Sequence, residues 1–314
     1  MLEYQFVIRQ YLLRKMREFF LERGYIEVET PYLVRSVPPD PHIDPVCVYI
    51  SGKGPYYLHT SPEIHMKKLL SKGLRRIFQI CRVFRVESVD SLHRIEFTML
   101  EWYRDGTYMD TLKEAEDLVL FLSSSLHEEF SIKKRFFSPF SVLEMEALFL
   151  ERVGINPFEF DRTSLFRVLK ERGFLTVREE DTWDEMFFKV FFEKIEPHID
   201  KSVPYFLVGW PLATSSMAKE RNGRAERFEL YIDGIEIANG YSELLDPEEQ
   251  RKRFEKDNEL RKYLGKDEIP IDEDFISSLS RIPIDCSGVA LGIERLIMVL
   301  TGERTIDSVS PFSL

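Results

Sequence analysis

The first sign of chemistry in this sequence is a pair of glutamates in one hairpin. Residues 226–243 read ERFELYIDGIEIANGYSE, and Asp-Gly between two alternating runs predicts a two-residue turn at Asp233 and Gly234. Residue 232 then faces 235, 231 faces 236 and 229 faces 238, so Glu229 and Glu236 lie diagonally on one face, about 7 Å apart. We expect that face to carry Glu229, Tyr231, Glu236 and Ala238, and the apolar face to carry Phe228, Leu230, Ile232, Ile235 and Ile237.

This glutamate pair has two interpretations. In a partly buried cleft, two ionised carboxylates at that spacing repel each other by about 2–3 kcal/mol at an effective dielectric constant of ~20. In open water the repulsion is well under ~1 kcal/mol, and the pair would be an ordinary solvated hairpin face. A buried pair favours a divalent cation, and ligation by oxygen atoms alone points to Mg²⁺, which is typically shared with substrate phosphates. The hairpin alone leaves both interpretations open.

Arginines that could hold an anion occur in two further places. Residues 75–85 and 96–103 predict two strands joined by a polar loop. A hairpin with Arg85 and Glu87 on one side and His93 and Glu96 on the other could clamp an anionic ligand. A surface hairpin with ordinary ion pairs is the alternative. Residues 285–300 predict a small-residue strand that turns at Gly292 into an apolar helix, with Arg295 in its first turn. An arginine there is unfavourable with respect to the helix dipole, so we expect it to have an anionic partner.

The elements that position these residues can be predicted from local signals. Residues 3–23 show apolar side chains at helical spacing and end at Gly24, and residues 109–130 form a second amphipathic helix. The run from Ser61 to Glu63 predicts the start of a helix that extends to about residue 71, after a strand at 55–60. We also expect strands at 25–29 and 205–210, a mostly helical insertion at about 138–200, and helices at 246–264 and 271–279.

Composition disfavours several classes of protein. A chain of 314 residues, 44% of them hydrophobic, can bury a sizeable core, and a net charge of −11 argues against a general nucleic-acid binder. The three cysteines have no metal-binding spacing, which fits a reducing cytoplasm better than a disulfide framework or a zinc site. Charges scattered through the N-terminal helix argue against a signal peptide or a membrane span there. We therefore expect a globular cytoplasmic protein.

These pieces, in this order, resemble class II aminoacyl-tRNA synthetases, and among them the lysyl group. Residues 25–31 look like motif 1, the dimer-forming segment. FRVE at 84–87 with HRIEFTMLEWY at 93–103 looks like motif 2, and GVALGIERL at 288–296 looks like motif 3. TSPE at 60–63 and the hairpin at 226–243 add detail of the lysyl group. The resemblance covers nearly the whole chain and implies an α+β fold, an antiparallel sheet flanked by helices, in one catalytic domain over residues 1–314.

Three features resemble a narrower family, the ligases that attach β-lysine to bacterial elongation factor P. The motif 1 helix begins at once, so we expect no anticodon-binding barrel. The segments TSPEIHMKKLL, EFTMLEWYR, ERFELY and DCSGVALG are similar to that family. Ala290 stands where lysyl-tRNA synthetases usually have glycine, and the resemblance implies that it reshapes the pocket towards (R)-β-lysine. Motif 2 usually reads FRNE and HNPEF, and this chain departs from it at Val86, Arg94 and Ile95.

For the nucleotide, the resemblance implies roles that can be carried over residue by residue. Arg85 and Arg295 would hold the α- and γ-phosphates of ATP. Phe97 would stack on adenine, and Glu87 and His93 would line the ATP side. Mg²⁺ would be bound by Glu229 and Glu236. Attack of a carboxylate on phosphorus needs such neutralisation of two anions and little acid–base help.

For the amino acid, the resemblance implies a pocket. Glu63 would bind the substrate amino group. The ε-ammonium would be surrounded by Glu101, Tyr103 and Glu243, and the pocket would be shaped by Asn239, Tyr241 and Ala290.

The predicted protein is therefore a homodimeric ligase. It would activate (R)-β-lysine or lysine as an adenylate and transfer it to a lysine of elongation factor P. A truncated lysyl-tRNA synthetase that charges tRNA is one alternative, and the missing barrel and the net acidity count against it. A non-catalytic regulatory paralogue is another, and the retained arginines and carboxylates count against it.

Overall fold

A computed structural model of the chain describes residues 2–86 and 88–310, with the side chains of Leu2 and Thr214 excepted. Glu87, predicted on the ATP side, therefore lies outside the described residues. The helices are α1 (Leu2–Glu22), α2 (Glu63–Leu70), α3 (Tyr108–Phe130), α4 (Met145–Val153), α5 (Arg162–Glu171), α6 (Trp183–Val190), α7 (Pro247–Tyr263), α8 (Glu273–Leu279) and α9 (Ile293–Thr301). The strands are β1 (Ile26–Glu27), β2 (Leu33–Val34), β3 (Val46–Ile50), β4 (Lys53–Leu58), β5 (Ile77–Phe84), β6 (Glu96–Asp105), β7 (Ser141–Glu144), β8 (Tyr205–Pro211), β9 (Glu220–Arg221), β10 (Arg224–Ile232), β11 (Ile235–Ser242) and β12 (Cys286–Gly292).

A nine-stranded sheet organises the fold. Its order is β1-β5-β6-β12-β11-β10-β8-β7, and β9 pairs with β10 outside this path. The pairs are antiparallel except at the two edges, where β1 pairs with β5 and β7 with β8 in parallel. The strands β2, β4 and β3 form a separate small sheet. A largely antiparallel sheet flanked by helices confirms the predicted α+β class.

The two faces of this sheet have different partners. One face packs against α1, α3 and α9 in the main core, where the Phe20 ring lies 5.0 Å from Phe78 and 5.2 Å from Trp102 between centroids. Burial of each such side chain contributes roughly 1.5–3 kcal/mol. The other face is partly covered by apolar residues of α2, α7 and α8. The polar residues of the central strands lie on this second face.

The insertion at residues 138–200 has an apolar cluster of its own. Phe149 and Phe187 stack there with centroids 4.6 Å apart, and α4, α5 and α6 surround them. The segment also supplies β7, which sequence analysis did not predict because four residues at a sheet edge are too few to show a period of two. That the whole chain acts as one catalytic domain stays a prediction.

Helix α1 exposes part of its apolar surface. Leu12 and Met16 are buried against the main core, whereas Tyr4, Phe6 and Val7 each expose more than 40% of their surface. Within residues 2–86 and 88–310, no helix is both long and apolar enough to cross a membrane. The exposed side chains are available for contact with another protein chain, and the homodimer expected through motif 1 stays a prediction.

Candidate active site

The turn of the central hairpin is the predicted one. Asp233 and Gly234 have φ values of 54° and 75°, and a type I′ turn requires positive φ at both positions. Tyr231 pairs with Glu236, as expected. The local Asp-Gly signal was therefore sufficient to place the turn and the first pairs.

Beyond those pairs, the predicted register is wrong by one residue. Ile237 is an extra residue on β11, so Leu230 pairs with Ala238 and Glu229 pairs with Asn239. Such a β-bulge moves every later side chain to the opposite face. Ala238, predicted on the polar face, is therefore in the main core and only 2% exposed. Asn239 takes its place opposite Glu229.

Glu229 lies in a buried polar cluster. Its side chain is bonded by the Arg227 guanidinium and by the Tyr231 hydroxyl, which donates across 2.7 Å. Burial raises the pKa of Glu229 and the charge of Glu236 raises it further, while Arg227 opposes both. Arg227 also donates to Asn239 Oδ1 at 3.1 Å. Sequence analysis missed this arginine, although it precedes Glu229 by two residues on a strand and must share its face.

The glutamate pair fits a cation that is shared with a ligand. Among residues 2–86 and 88–310, no group of three or more His, Cys, Asp or Glu side chains could hold a metal ion. The negative charge of Glu236 is close enough to raise the pKa of Glu229. Each Glu229 oxygen accepts one hydrogen bond and keeps a second lone pair. The donor set thus suits Mg²⁺ with water and phosphate as further ligands.

The two predicted phosphate-binding arginines lie on different elements, Arg85 directly after β5 and Arg295 in α9. The Arg85 guanidinium lies 5.4 Å from the centre of the Phe97 ring. Arg295 donates to the carbonyl oxygens of Leu92 at 3.3 Å and of Glu236 at 3.2 Å. Arg295 therefore connects the polar loop to the strand of the glutamate pair. Both acceptors are neutral, so the anionic partner expected for this arginine stays a prediction.

The unusual residues of motif 2 anchor its loop. The buried Arg94 binds the Asp307 carboxylate and the carbonyl oxygen of Asp90. The Val86 amide donates to the Asp44 carbonyl oxygen at 2.7 Å. His93, predicted on the ATP side, pairs its Nδ1 with the Asp90 carboxylate at 2.9 Å. The Arg94 side chain thus ties the loop to Asp307, and the backbone at Val86 ties it to Asp44.

The residues predicted for the amino-acid pocket lie together on the polar face of the sheet. Across β6, β12 and β11, residues pair directly with one another in two rows. One row contains Glu101, Ala290 and Asn239. The next row contains Tyr103, Gly288 and Tyr241. Residues opposite each other on neighbouring strands point to the same face. A Cβ atom at Gly288 would lie only 2.7 Å from Glu243 Oε1, so this position needs a residue without a side chain.

Three carboxylates meet in this pocket. Glu101 and Glu243 are each 2% exposed. The Tyr103 hydroxyl donates to Glu101 at 2.7 Å, and the Tyr241 hydroxyl donates to Glu63. Burial raises the pKa of both Glu101 and Glu243, and the negative charge of Glu63 raises each further. Such a concentration of buried negative charge requires a cation.

Sequence analysis missed the cationic residue of the pocket. Lys67 is 0% exposed, its Nζ lies 2.6 Å from Glu63 Oε1, and it also forms an ion pair with Glu243. Burial alone would lower its pKa, but the attraction of the two carboxylates outweighs burial and raises the pKa of Lys67 above its usual value. A signal was present, since Lys67 follows Glu63 by four residues, the spacing of helical ion pairs.

Comparison with known proteins agrees with these motifs. The chain is 39% identical over 302 residues to the elongation factor P–(R)-β-lysine ligase homolog of Aquifex aeolicus (strain VF5), across 95% of this chain and 96% of that protein. It is 36% identical over 316 aligned residues to the elongation factor P–(R)-β-lysine ligases of Salmonella typhi and Salmonella dublin, across 98% of this chain and 94% of theirs. Residues 1–314 match the family of tRNA synthetases class II (D, K and N), and the chain belongs to that family.

Proposed function

We propose that this protein is a ligase that activates (R)-β-lysine or lysine with ATP and transfers it to a lysine side chain of elongation factor P. The observation that carries the proposal is the set of three carboxylates gathered in one largely buried pocket. Relatives that cover almost the same length are named as elongation factor P–(R)-β-lysine ligases, which supports the acceptor. The function implies a cytoplasmic protein.

The pocket suits an amino acid with more than one ammonium group. Glu63 would bind one amino group, and Glu101 and Glu243 would surround the other, with Tyr103 between them. Charge-assisted hydrogen bonds of this kind are about twice as strong as neutral ones. The walls of the pocket would be Asn239, Tyr241 and Ala290, which the strand register places beside the carboxylates.

ATP would bind beside this pocket. Arg85 and Arg295 would hold the α- and γ-phosphates, Phe97 would stack on adenine, and His93 would lie on the ATP side. Glu229 and Glu236 would hold Mg²⁺, which neutralises phosphate charge when it is bound.

Two reactions would take place at this site. In the first, a carboxylate oxygen of the amino acid attacks the α-phosphorus. The bond between the α-phosphorus and the oxygen that bridges it to the β-phosphorus breaks, and pyrophosphate leaves with the electron pair of that bond. In the second, the ε-amine of the acceptor lysine attacks the carbonyl carbon of the adenylate and loses a proton, and AMP leaves. The side chains contribute orientation and charge neutralisation to both steps.

The test is a pair of measurements on the full chain. We expect ATP–pyrophosphate exchange that depends on (R)-β-lysine or lysine, and then a gain in the intact mass of elongation factor P by one lysyl group. Exchange with tRNA charging and without modification of elongation factor P would favour the truncated-synthetase alternative. Absence of exchange with either amino acid would favour the regulatory paralogue and refute the proposal.

We further propose that the protein is a homodimer that associates through the motif 1 region. Tyr4, Phe6 and Val7 on α1 supply exposed apolar surface for such a contact. Sedimentation equilibrium should give twice the mass of the chain. Phe6→Glu should shift the equilibrium to monomers, and a monomeric wild-type protein would refute the dimer.

A further inference from the structure

Lys67 places a positive charge inside the pocket proposed for the ammonium groups of the substrate. Its side chain is fully buried, with Nζ 2.6 Å from Glu63 Oε1, in an ion pair with Glu243 Oε2, and 5.5 Å from the centre of the Tyr241 ring. A buried ammonium is costly by several kcal/mol unless it is paired. Two carboxylates and a ring face compensate this one, so Lys67 is a fixed part of the pocket.

The oxygens of the three carboxylates are unevenly occupied. Glu101 accepts hydrogen bonds at both oxygens, from Tyr103 at 2.7 Å and from Ser61 at 2.9 Å. Glu243 gives one oxygen to Lys67, but its Oε1 is buried and has no hydrogen-bond partner among the described residues. Buried acceptors are nearly always satisfied in folded proteins. This oxygen of Glu243 can therefore accept a hydrogen bond from a ligand.

We propose that Lys67 is a specificity-determining residue whose fixed ammonium balances one of the three pocket carboxylates and leaves two negative charges for a substrate with two ammonium groups. The inference rests on the proposed function and deepens it. Lysine and β-lysine carry two ammonium groups besides the carboxylate that reacts. An amino acid with an uncharged side chain brings one, and leaves a buried carboxylate unpaired at a large cost. Lys67 thus sets the number of positive charges that the pocket accepts.

The charge of Lys67 also acts on the protonation of the pocket. The titratable groups that face this cluster are Glu63 on α2, Cys81 on β5, Glu101 and Tyr103 on β6, Tyr241 and Glu243 at the end of β11, and Cys286 on β12. Burial raises the pKa of Glu101 and Glu243, and Lys67 lowers both. Without Lys67, these carboxyl groups would keep their protons to a higher pH. A protonated carboxyl group attracts an ammonium only weakly.

Replacement of Lys67 by methionine tests the inference, because methionine is unbranched and of similar length but uncharged. In lysine-dependent ATP–pyrophosphate exchange, we expect Lys67→Met to raise KM for lysine about tenfold or more at pH 7, and a tenfold change corresponds to about 1.4 kcal/mol. The difference from wild type should shrink as pH approaches 9, and KM for ATP should stay near the wild-type value. Lys68→Met is the matched control, since Lys68 lies on the same helix but pairs with Asp272 at 2.6 Å, outside the pocket.

Three outcomes would overturn the inference. The first is an unchanged KM for lysine. The second is a loss that is equal for lysine and ATP at every pH, which would make Lys67 a purely structural residue. The third concerns the case in which Lys67→Met does not fold. The double variant Lys67→Met with Glu243→Gln has the wild-type charge balance, so it should fold. If the double variant does not recover stability, the role of charge is refuted. Absence of lysine-dependent exchange in the wild type would instead refute the proposed function.

Discussion

A methyl group added at Gly288 would test the geometry of the amino-acid pocket directly. The Cβ atom of an alanine there would lie 2.7 Å from Glu243 Oε1 and closer still to the ring of Tyr103. Gly288 is not among the described glycines with positive φ, so its backbone accepts alanine without strain. The effect of Gly288→Ala must therefore come from these two contacts.

The magnitude follows from how little room the neighbours have. Tyr103 is 2% exposed and its hydroxyl is bonded to Glu101, so its ring cannot turn into solvent. Overpacking of a filled interior destabilises a protein by about 1–3 kcal/mol. A displaced Glu243 would lose a charged hydrogen bond to the substrate ammonium, worth roughly 1.5–3 kcal/mol. That loss corresponds to a roughly 10- to 150-fold rise in KM for lysine.

Gly240→Ala is the matched control for this experiment. Gly240 lies on the neighbouring strand β11, and a Cβ atom there would lie 2.7 Å from the Phe228 ring and 2.8 Å from Val289, in the main core. Thermal unfolding should show a similar loss of stability for both variants. Lysine-dependent ATP–pyrophosphate exchange should show a raised KM for Gly288→Ala alone. If Gly288→Ala keeps the wild-type KM for lysine, Tyr103 and Glu243 do not surround the substrate ammonium.

Four further predictions concern the binding of ATP and Mg²⁺, the role of Ala290 and the dependence on pH. Glu236→Gln should abolish exchange with little change in the midpoint of thermal unfolding, because the proposed Mg²⁺ site loses a charged ligand; near-normal exchange would contradict the metal assignment. Arg295→Lys should raise KM for ATP, because an ammonium cannot replace the fork of a guanidinium; unchanged kinetics would argue against phosphate contact. Ala290→Gly should raise kcat/KM for lysine relative to (R)-β-lysine by about 10- to 200-fold, and an unchanged ratio would show that Ala290 does not determine the choice between them. For the wild type, KM for lysine should fall between pH 6 and 8.5, because burial raises the pKa of Glu101 and Glu243 and only their ionised forms attract an ammonium; a flat profile would refute this.

Much of the fold was predictable because its signals are local. Gly24 at the end of α1, the turn at Asp233 and the start of α2 after Pro62 all depend on residues close together in sequence. The bulge at Ile237 was not predictable, since alternation does not encode an extra residue and a small alanine at 238 suits either face. A single unpredicted residue was enough to change the faces of all the later positions on β11.

Motifs indicated the candidate site, but they could not indicate contacts that depend on tertiary packing. Arg94 departs from the usual motif, and its partner Asp307 is 213 residues away in sequence, so no local pattern could reveal their ion pair. Lys67 has the spacing of a common surface ion pair with Glu63. Only the packing of α2 on the sheet shows that this pair is buried and extends to Glu243. Residue types and spacing thus indicated the candidate groups, and packing determined their number and charge balance.

The bulge also explains how one strand can contribute to both proposed binding sites, the site for Mg²⁺ with ATP and the pocket for the amino acid. If β11 were a regular strand, only even-numbered residues would share the face of Glu236. The side chains of residues 239, 241 and 243 would then point into the main core. The extra residue Ile237 shifts the alternation, so Asn239 and Tyr241 join Glu236 on the polar face while Ala238 and Gly240 face the core. The glutamate pair and the pocket proposed for the ammonium groups therefore share one face because of a single extra residue.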